Sequence, residues 1–366
     1  MKIILKGNVF NPTGIATVNR EICKAFLRLG HQVQTNDIWH DSYEFNKGLE
    51  ILNNPINSNS DDVITIFADY PEHWRDGYGK LVGHFVHEGT RLWPHWINHL
   101  NKIDRIWVPS KATKNLFKWN DVQSHIEVIP HGVSNLYKPK EFKKETDDFI
   151  FLSVNSWTGQ KGDRKGTDIL IKAFDEEFKK DEKVKLLLKI STFWRKGINY
   201  GKAIYDILGH TNPNILWNDA YVPEKELVTY YQKSDCFVSP TRGEAFGLTI
   251  INAMACGLPV IVTHDVNSGH MDYTKGKKSV LFIDAPEMSQ SDPDFYCEGN
   301  LQPIPDKESL KEQMRKAFEE HEKLKEKAKI VSNEIRKKYT WENTAKSIIK
   351  LAEKSENEIL KDSFLW

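Results

Sequence analysis

The stretch GEAFGLTIINAMACGLPVIVT, Gly243 to Thr263, decides the fold of this chain. The residues before it, Cys236 to Ser239, form a short apolar run that predicts a strand, and Val260 to Thr263 predict a second strand. The apolar spacing between the two runs predicts a helix from Ala245 to Ala255, which Gly257 ends. A strand, a loop, a helix and a second strand in this order are typical of a parallel α/β sheet.

The start of this helix is suited to an anion. Backbone N–H groups without an intrahelical acceptor and the positive end of the helix dipole both favour a phosphate there. Glu244 lies one residue outside that position, where its carboxylate would accept hydrogen bonds from hydroxyls on the molecule that carries the phosphate. Phosphate and hydroxyls together indicate a sugar nucleotide; the alternative is a core helix that Glu244 merely caps. The residues expected at the phosphate are Ala245, Phe246, Gly247, Leu248 and Thr249.

The same stretch resembles the donor-site signature of family 4 of the retaining glycosyltransferases, also called glycosyl transferases group 1. That signature is a Glu, seven residues and a second Glu; Glu244 matches the first, and Asn252 stands at the second. The resemblance implies an α/β chain of the GT-B architecture, in which two Rossmann-like domains face each other across a cleft. It also implies that Glu244 lies against the donor sugar and that the residue at position 252 faces the ribose hydroxyls. In this chain that residue is Asn252, so an amide replaces the family's carboxylate.

A second segment, Phe151 to Phe174, resembles the first strand and helix of the donor domain in this family. Its Lys165 matches the family's lysine that contacts the donor diphosphate, and an ammonium at a helix start can neutralise charge on a leaving phosphate. The family's arginine after that strand is absent, and two basic residues of the loop are candidates for its role, Lys161 and Arg164. The alternative is that these side chains belong to a solvated loop.

In the first domain, the resemblance points to a glycine loop and a histidine. Gly14 follows the first predicted strand, where the family has a glycine loop that faces the diphosphate, and His87 resembles the family's histidine beside the donor sugar. A neutral imidazole there could donate or accept a hydrogen bond; the alternative is a structural histidine. Aromatic faces stack on sugars, although large aromatics are more often core residues. The candidates for acceptor recognition are Tyr70, Trp74, Trp93 and Trp96.

The length of 366 residues suits two domains, each able to bury its own core. The resemblance divides the chain into an acceptor-side domain, residues 1–140, and a donor-binding domain, residues 148–342. Between them, Lys138 to Asp148 is dense in charge and almost free of apolar residues, which predicts a linker. Residues 343–366 include a last predicted helix, which the resemblance implies crosses back onto the first domain.

Charge and composition narrow the class of partner. A formal net charge of zero argues against nucleic acid, which needs a concentrated basic surface. The four cysteines contain no C-x-x-C pair and no apolar run is long enough to span a membrane, so the expectation is a soluble, cytoplasmic protein with reduced thiols. Arg20, Lys24 and Arg28 form a basic stripe that predicts peripheral contact with an anionic membrane face; a solvated helix face is the alternative.

Metal sites receive little support from the sequence. Asp292 and Asp294 form an acidic D-x-D pair, but the surrounding prolines and polar residues are typical of a solvated loop. His95 and His99 have the i, i+4 spacing of helical ligands without an evident third ligand. We therefore expect no metal and no cofactor beyond the nucleotide sugar itself.

The sequence and the resemblance together predict a glycosyltransferase. It would move a hexosyl group from a nucleoside diphosphate sugar to a hydroxyl of a glycan or a lipid-linked acceptor, with retention of the anomeric configuration and without a metal. Two alternatives stay open at this point. One is a binding-only relative that has lost turnover, because Asn252 replaces a glutamate; the other is a different enzyme of the same architecture, such as a sugar-nucleotide epimerase or a phosphorylase.

Overall fold

The structure of the chain is a computed structural model. It describes residues 1–36, 49–56, 62–140, 146–160, 162–193, 197–355 and 357–358. The described residues form two compact units. Unit 1 consists of Met1–Ser134 together with the chain from Tyr339 onward, and unit 2 is Asn135–Lys338.

Unit 1 is built on a six-stranded sheet in the order β2-β1-β3-β4-β5-β6, and every neighbouring pair of strands is parallel. Parallel sheets are covered on both faces, which explains why the central strand VITIF is buried along its whole length. Its elements before the linker are β1 (Lys2–Lys6), α1 (Gly14–Arg28), β2 (Gln32–Asn36), β3 (Val63–Phe67), β4 (Lys80–His84), α2 (Pro94–Leu100), β5 (Arg105–Val108), α3 (Lys111–Trp119) and β6 (His125–Val128).

Unit 2 contains a second parallel six-stranded sheet, in the order β12-β11-β10-β7-β8-β9, and a two-stranded antiparallel hairpin. Its elements are β7 (Phe149–Asn155), α4 (Thr167–Glu177), β8 (Val184–Ile190), α5 (Tyr200–Leu208), β9 (Ile215–Asn218), α6 (Glu224–Lys233), β10 (Cys236–Ser239), α7 (Leu248–Ala255), β11 (Val260–Thr263), α8 (Met271–Thr274), β12 (Val280–Ile283), β13 (Glu287–Gln290), β14 (Leu301–Ile304), α9 (Lys307–Glu319) and α10 (His321–Lys338).

The last helix, α11 (Trp341–Glu353), belongs to unit 1, where it packs on α1. Thr340 caps its start by accepting a hydrogen bond from the Asn343 N–H, as the sequence predicts for a threonine before an amphipathic run. Close packing at Gly132 fixes the helix start, because a Cβ on that glycine would lie 2.4 Å from the Trp341 nitrogen. The chain thus returns to its first unit after completing the second.

Each sheet has one point at which the strand order reverses. In unit 2 the reversal lies between β7 and β10, and in unit 1 it lies between β1 and β3. Loops at the carboxyl ends of such strand pairs diverge to opposite faces of the sheet and leave a crevice in which α/β proteins bind ligands. The two parallel sheets confirm the predicted pair of Rossmann-like domains.

Two elements differ from the sequence expectation. Helix α7 begins at Leu248 rather than at Ala245, because Gly247 adopts a left-handed conformation with φ of 86°. The segment around Asp292 was expected to be a loop, but the residues on either side pair as the β13–β14 hairpin. Asp292 and Asp294 themselves lie in the connection between those strands, and Asp292 accepts a hydrogen bond from the Asp294 N–H.

Candidate active site

The loops that follow β7 and β10 meet at the reversal point of the unit 2 sheet. The Arg242 N–H donates to the Arg164 carbonyl at 2.7 Å, which ties the second loop to the first. Gly166 permits this approach, since it has a φ of 65° and any Cβ there would lie 2.0 Å from the Pro240 carbonyl oxygen. The two segments singled out by the sequence therefore form one structure, although about 80 residues separate them.

At the centre of this structure, Lys165 and Glu244 form an ion pair. Lys165 Nζ donates to Glu244 Oε1 at 2.5 Å, and both side chains are mostly buried, with 18% and 11% of their surface exposed. Arg164 Nη1 donates to the Gly243 carbonyl at 2.6 Å and lies 3.7 Å from the same carboxylate oxygen. Two of the predicted donor-site cations thus lie beside the predicted sugar-binding carboxylate.

The charge state of Glu244 follows from these neighbours. Burial raises the pKa of a carboxyl group, but the charges of Lys165 and Arg164 and the Lys165 hydrogen bond outweigh burial and hold the pKa of Glu244 below its ordinary value. Glu244 is therefore an anion at neutral pH. As an anion it acts only as a hydrogen-bond acceptor, which suits a ligand that presents hydroxyl groups.

Ser268 and His270, which the sequence analysis missed, position the backbone of Glu244. The Glu244 N–H donates to Ser268 Oγ at 2.9 Å, and the Gly269 N–H donates to the Glu244 carbonyl at 2.6 Å. Ser268 Oγ also lies 3.0 Å from His270 Nδ1. The signal for these residues is a short polar run, Asn267 to His270, a few residues after a buried strand, at the same sheet edge as Glu244.

The hydrogen-bond partners of His270 determine its tautomer. Nε2 lies 2.8 Å from the Thr263 carbonyl oxygen, which can only accept, so Nε2 carries the proton. Nδ1 is then an acceptor for the Ser268 hydroxyl, whose oxygen lies 3.0 Å from Nδ1 and 3.2 Å from the Glu244 carbonyl oxygen, an alternative acceptor of the same proton. Burial lowers the pKa of His270, against opposing effects from the Thr263 carbonyl and the Glu244 charge, and keeps the ring neutral. A chain of hydrogen bonds thus runs from Glu244 through Ser268 to His270.

Next to the ion pair, the start of α7 presents unpaired backbone donors. The turn at Gly247 is fixed by the Tyr273 hydroxyl, which donates to the carbonyls of Phe246 and Gly247 at 2.8 Å. The first N–H groups of a helix have no intrahelical acceptor, and those of Leu248 and Thr249 donate to no other described residue. Ala245 is buried together with Phe246, so side chains here form the core while backbone groups face the loop.

Asn252 lies one turn inside α7 and is partly exposed. Its backbone carbonyl accepts from the Cys256 N–H at 3.0 Å. Its side-chain amide makes no hydrogen bond within the described part of the chain, so both the amide oxygen and the amide N–H groups remain available to a ligand.

Two carboxylates that the sequence analysis did not consider lie beneath the loop that carries Lys165. Asp163 accepts long hydrogen bonds, at 3.4 Å, from the N–H groups of Thr158 and Thr167, and Asp168 accepts from the Gly162 N–H at 2.8 Å. Burial and the nearby Asp168 charge raise the pKa of Asp163 to about 6. By accepting these backbone hydrogen bonds, Asp163 and Asp168 hold the loop in its conformation. Lys161, the other predicted cation of the loop, lies outside the described residues.

The basic stripe of α1 is engaged within unit 1, so the predicted membrane contact has no support. Arg20 Nη1 donates to the carbonyls of Val9 and Asn11, both at 2.5 Å, and thereby holds the loop that precedes Gly14. Lys24 pairs with Glu21 at 2.7 Å, and Arg28 pairs with Glu342 at 2.6 Å. Arg20 is thus held against the chain's own backbone, and the charges of Lys24 and Arg28 are compensated by neighbouring carboxylates.

Gly14 is the first residue of α1 and is exposed, directly after the capping residue Thr13. Thr13 accepts a hydrogen bond from the Ala16 N–H, and Asn11 accepts from both the N–H and the hydroxyl of Thr13. The glycine loop is therefore a well-capped helix start at the carboxyl end of β1, beside the reversal point of the unit 1 sheet.

His87 follows β4 and packs among aromatic rings. Its imidazole is almost fully buried, with an edge contact to Trp96 at a centroid distance of 5.3 Å and a parallel contact to Phe85 at 6.1 Å. Tyr70, which follows β3, lies 5.7 Å from the Trp96 ring. The structure therefore brings His87 together with two of the four aromatic residues proposed for acceptor recognition.

The other two aromatic candidates differ in exposure. Trp74 is a core residue: its indole N–H donates to the Asp69 carbonyl at 2.9 Å, and its ring stacks on Phe67. Trp93 is partly exposed at the start of α2, with its ring 6.4 Å from that of Trp96. Asp69 is buried beside these rings, and burial raises the pKa of its carboxyl group.

The described residues, which include the regions around Asp292 and His95, contain no group of three His, Cys, Asp or Glu side chains that could hold a metal ion. All four cysteines are buried, and none forms a disulfide within the described part of the chain. No helix among the described residues has the length and apolar character needed to cross a bilayer.

The geometry above agrees with comparisons to known proteins. A sequence profile described as Glycosyl transferases group 1 matches residues 151–291, the span that contains Lys165 and Glu244. A crystal structure of a glycosyltransferase from Rickettsia africae ESF-5 superposes with a TM-score of 0.71 at 16% identity, covering 99% of each chain. The chain has the GT-B fold.

Another solved structure and a curated protein sequence are also similar to this chain. HepE of Anabaena, crystallised with UDP-glucose, has a TM-score of 0.69 at 14% identity and covers 96% of this chain and 98% of its own. The "Probable sucrose-phosphate synthase" of Thermosipho melanesiensis is 27% identical over 250 residues, which are 67% of this chain and 51% of that protein. The chain spans about half the length, or less, of the first curated relatives that it matches.

Proposed function

We propose that this chain is a retaining glycosyltransferase that moves a hexosyl group from a nucleoside diphosphate sugar to a hydroxyl of a glycan or a lipid-linked acceptor. The observation that carries the proposal is the Lys165–Glu244 pair beside the open start of α7, at the reversal point of a parallel sheet. The match of residues 151–291 to group 1 glycosyl transferases and the UDP-glucose bound by HepE support it.

Each group has a defined part in donor binding. Lys165 and the N–H groups of Leu248 and Thr249 would neutralise the diphosphate, and Glu244 would accept hydrogen bonds from the sugar hydroxyls. Asn252 would face the ribose, where it offers one acceptor oxygen and two N–H donors. The contacts among the loops, Ser268 and His270 support this arrangement because they fix Glu244 before any ligand arrives.

In the transfer itself, the bond between the anomeric carbon and the donor phosphate oxygen breaks, and a bond between that carbon and the acceptor oxygen forms on the same face. The departing phosphate takes the acceptor proton. Negative charge grows on the phosphate as the bond breaks, so Lys165 and the positive end of α7 stabilise the transition state more than the ground state. These groups supply the positive charge, so we propose that neither a metal nor a further cofactor takes part.

The acceptor would bind to unit 1. Tyr70 is exposed and Trp93 partly exposed, and both lie close to the Trp96 ring, so the exposed aromatic faces could stack on a sugar ring. His87 lies against Trp96 and would contact the transferred sugar. Trp74 has no such role, because it packs in the core. The buried cysteines, which form no disulfide among the described residues, support a reducing compartment such as the cytoplasm.

The test is incubation with a panel of nucleoside diphosphate sugars, with and without hydroxyl acceptors, while nucleoside diphosphate release and the anomeric configuration of the product are measured. We expect acceptor-dependent release, an unchanged configuration and full activity in EDTA. Tight binding without release would indicate a binding-only relative, and a changed donor sugar without transfer would indicate an epimerase. Loss of activity on chelation, restored by Mn²⁺, would contradict the metal-free mechanism.

A further inference from the structure

A cavity lies at the opposite edge of the unit 2 sheet from the Lys165–Glu244 ion pair. It has a volume of about 740 Å³, within the range of small-molecule sites. It adjoins the amino ends of β7, β10 and β11 through Ile150, Asp235 and Pro259, whereas Lys165 and Glu244 lie at the carboxyl ends. Cys256 and Gly257, just after α7, form part of its wall.

The described lining of this cavity is strongly basic. It contains four lysines and one histidine against a single carboxylate, Asp235. That carboxylate is already used, because its Oδ2 accepts from the Ile150 N–H at 2.8 Å. The basic lining residues are Lys140, Lys233, His321, Lys325 and Lys329.

Helix α10 contributes three of these residues with a spacing of i, i+4 and i+8, which places them on one face. Lys325 and Lys329 have no carboxylate within ion-pair distance among the described residues. The preceding helix α9 has basic residues with the same spacing, and there the cations form ion pairs with carboxylates. Each of the three cations with this spacing pairs with an acidic residue of α4: Lys307 with Glu176 at 2.6 Å, Lys311 with Glu176 at 3.5 Å, and Arg315 with Glu177 at 2.7 Å.

A buried polar group in the wall also lacks a partner. Tyr231 is fully buried, and its hydroxyl makes no hydrogen bond within the described part of the chain. A buried hydroxyl without a partner is unfavourable, because it has lost water and gained no acceptor. An anionic oxygen, or water ordered around an anion, would give this donor an acceptor.

We propose that this cavity binds a small soluble polyanion that carries two or more phosphoryl groups. Lys325 and Lys329 lie one helical turn apart without a carboxylate in ion-pair distance among the described residues, so their like charges repel, and a ligand with several adjacent negative charges would relieve that repulsion. The volume admits a molecule of nucleotide size. The proposal does not depend on the proposed transferase activity, because it concerns the other edge of the sheet.

The probe is inorganic tripolyphosphate, titrated by calorimetry into the full chain. The double variant Lys325→Ala/Lys329→Ala removes two cations from the cavity, and Lys323→Ala/Lys327→Ala removes two from α10 about half a turn away, with the same spacing. We expect the cavity variant to lose at least tenfold in affinity and the control variant to stay within twofold of the native chain. All four lysines are exposed or partly exposed on α10, so circular dichroism should show unchanged folding.

Equal affinity of both double variants and the native chain would overturn the proposal, because any tripolyphosphate binding would then lie elsewhere, for example at the donor loops. Absence of tripolyphosphate binding to the native chain would overturn it as well. Cosedimentation with phosphatidylglycerol vesicles separates a soluble ligand from a lipid headgroup. Vesicle binding that the cavity variant abolishes, without any binding of tripolyphosphate, would assign the cavity to a membrane surface instead.

Discussion

Lys165 Nζ lies 2.5 Å from Glu244 Oε1, although the two residues are 79 positions apart in the chain. In the absence of donor, each side chain is thus the other's partner. A bound nucleoside diphosphate sugar would offer both of them new partners, a phosphate for the ammonium and hydroxyls for the carboxylate. The ion pair therefore keeps two buried charges compensated until the donor replaces it.

This exchange of partners predicts opposite effects of Glu244→Gln on binding and on transfer. The substitution frees Lys165 and removes a negative charge near the phosphate, so affinity for the nucleoside diphosphate alone should stay equal or rise up to about tenfold. Transfer should fall at least about a hundredfold, because the sugar loses a charged acceptor. Calorimetry and rate measurements on the same preparation test this. Weaker diphosphate binding in a folded variant would contradict the partner exchange.

The lowered pKa of Glu244 predicts a pH-dependent contribution to stability. A carboxyl group whose pKa is lower in the folded state stabilises the fold above its ordinary value of 4.5, and this contribution disappears as the pH falls through the folded-state value. Glu244→Gln should cost on the order of 1–3 kcal/mol at pH 7, and the cost should shrink toward pH 3. Urea unfolding across this range provides the measurement.

The control for the pH series is Glu326→Gln, at an exposed carboxylate of α10 that forms no ion pair among the described residues. Its effect should stay near zero at every pH, since exposed charges contribute little. A cost of Glu244→Gln that is constant or grows as the pH falls would contradict the sign of the pKa shift.

Alanine substitutions at two glycines of the loop that carries Lys165 distinguish the cost of backbone strain from the cost of a steric clash. Gly162 and Gly166 have similar φ values, 75° and 65°, but a Cβ meets nothing within 4 Å at Gly162, whereas at Gly166 it would lie 2.0 Å from the Pro240 oxygen. Gly162→Ala should cost about 1–2 kcal/mol in unfolding free energy from strain alone. Gly166→Ala should cost at least about 2 kcal/mol more and weaken nucleotide binding. Equal costs would mean that the two loops are not in tight contact.

Alanine substitutions at two buried serines test whether the hydrogen bonds of Ser268 position Glu244. Ser268 bonds the Glu244 N–H and His270, whereas the buried Ser279 hydroxyl has no partner among the described residues. Ser268→Ala should cost about 1–2 kcal/mol and lower kcat. Ser279→Ala should be neutral or slightly stabilising, because it removes an unsatisfied hydroxyl. Similar stability and activity of the two variants would show that the hydrogen-bond chain through Ser268 does not position Glu244.

Local patterns predicted most of the fold. The strands β10 and β11 begin and end at the residues expected from the sequence, because each is a short apolar run that forms a fully buried strand. The start of α7 shifted by three residues, since the turn at Gly247 depends on the hydroxyl of Tyr273, 26 positions later. A contact of that length leaves no periodic signal in the sequence.

The candidate site residues came from residue type and from the family resemblance. Glu244 was singled out by its place before a helix start and Lys165 by its match to the family's lysine, and the fold brings the two side chains together. Ser268 was missed because a serine in a loop has many ordinary roles, and only the structure shows which backbone N–H it accepts from. The sequence could not show that the basic stripe of α1 is engaged within unit 1 rather than available to a membrane, since its partners, such as Glu342, lie far away in sequence.

The central claim is that Lys165 holds the diphosphate of a nucleotide sugar. Its most direct test is calorimetric titration of the native chain, Lys165→Ala and Lys185→Ala with the nucleoside diphosphate released in the transfer assay. Lys185 also forms an ion pair, with Asp148 at 2.6 Å, but on β8 away from the loops. We predict at least tenfold weaker binding for Lys165→Ala, about 1.4 kcal/mol, and no more than twofold for Lys185→Ala. Binding of Lys165→Ala as tight as that of the native chain would contradict the account.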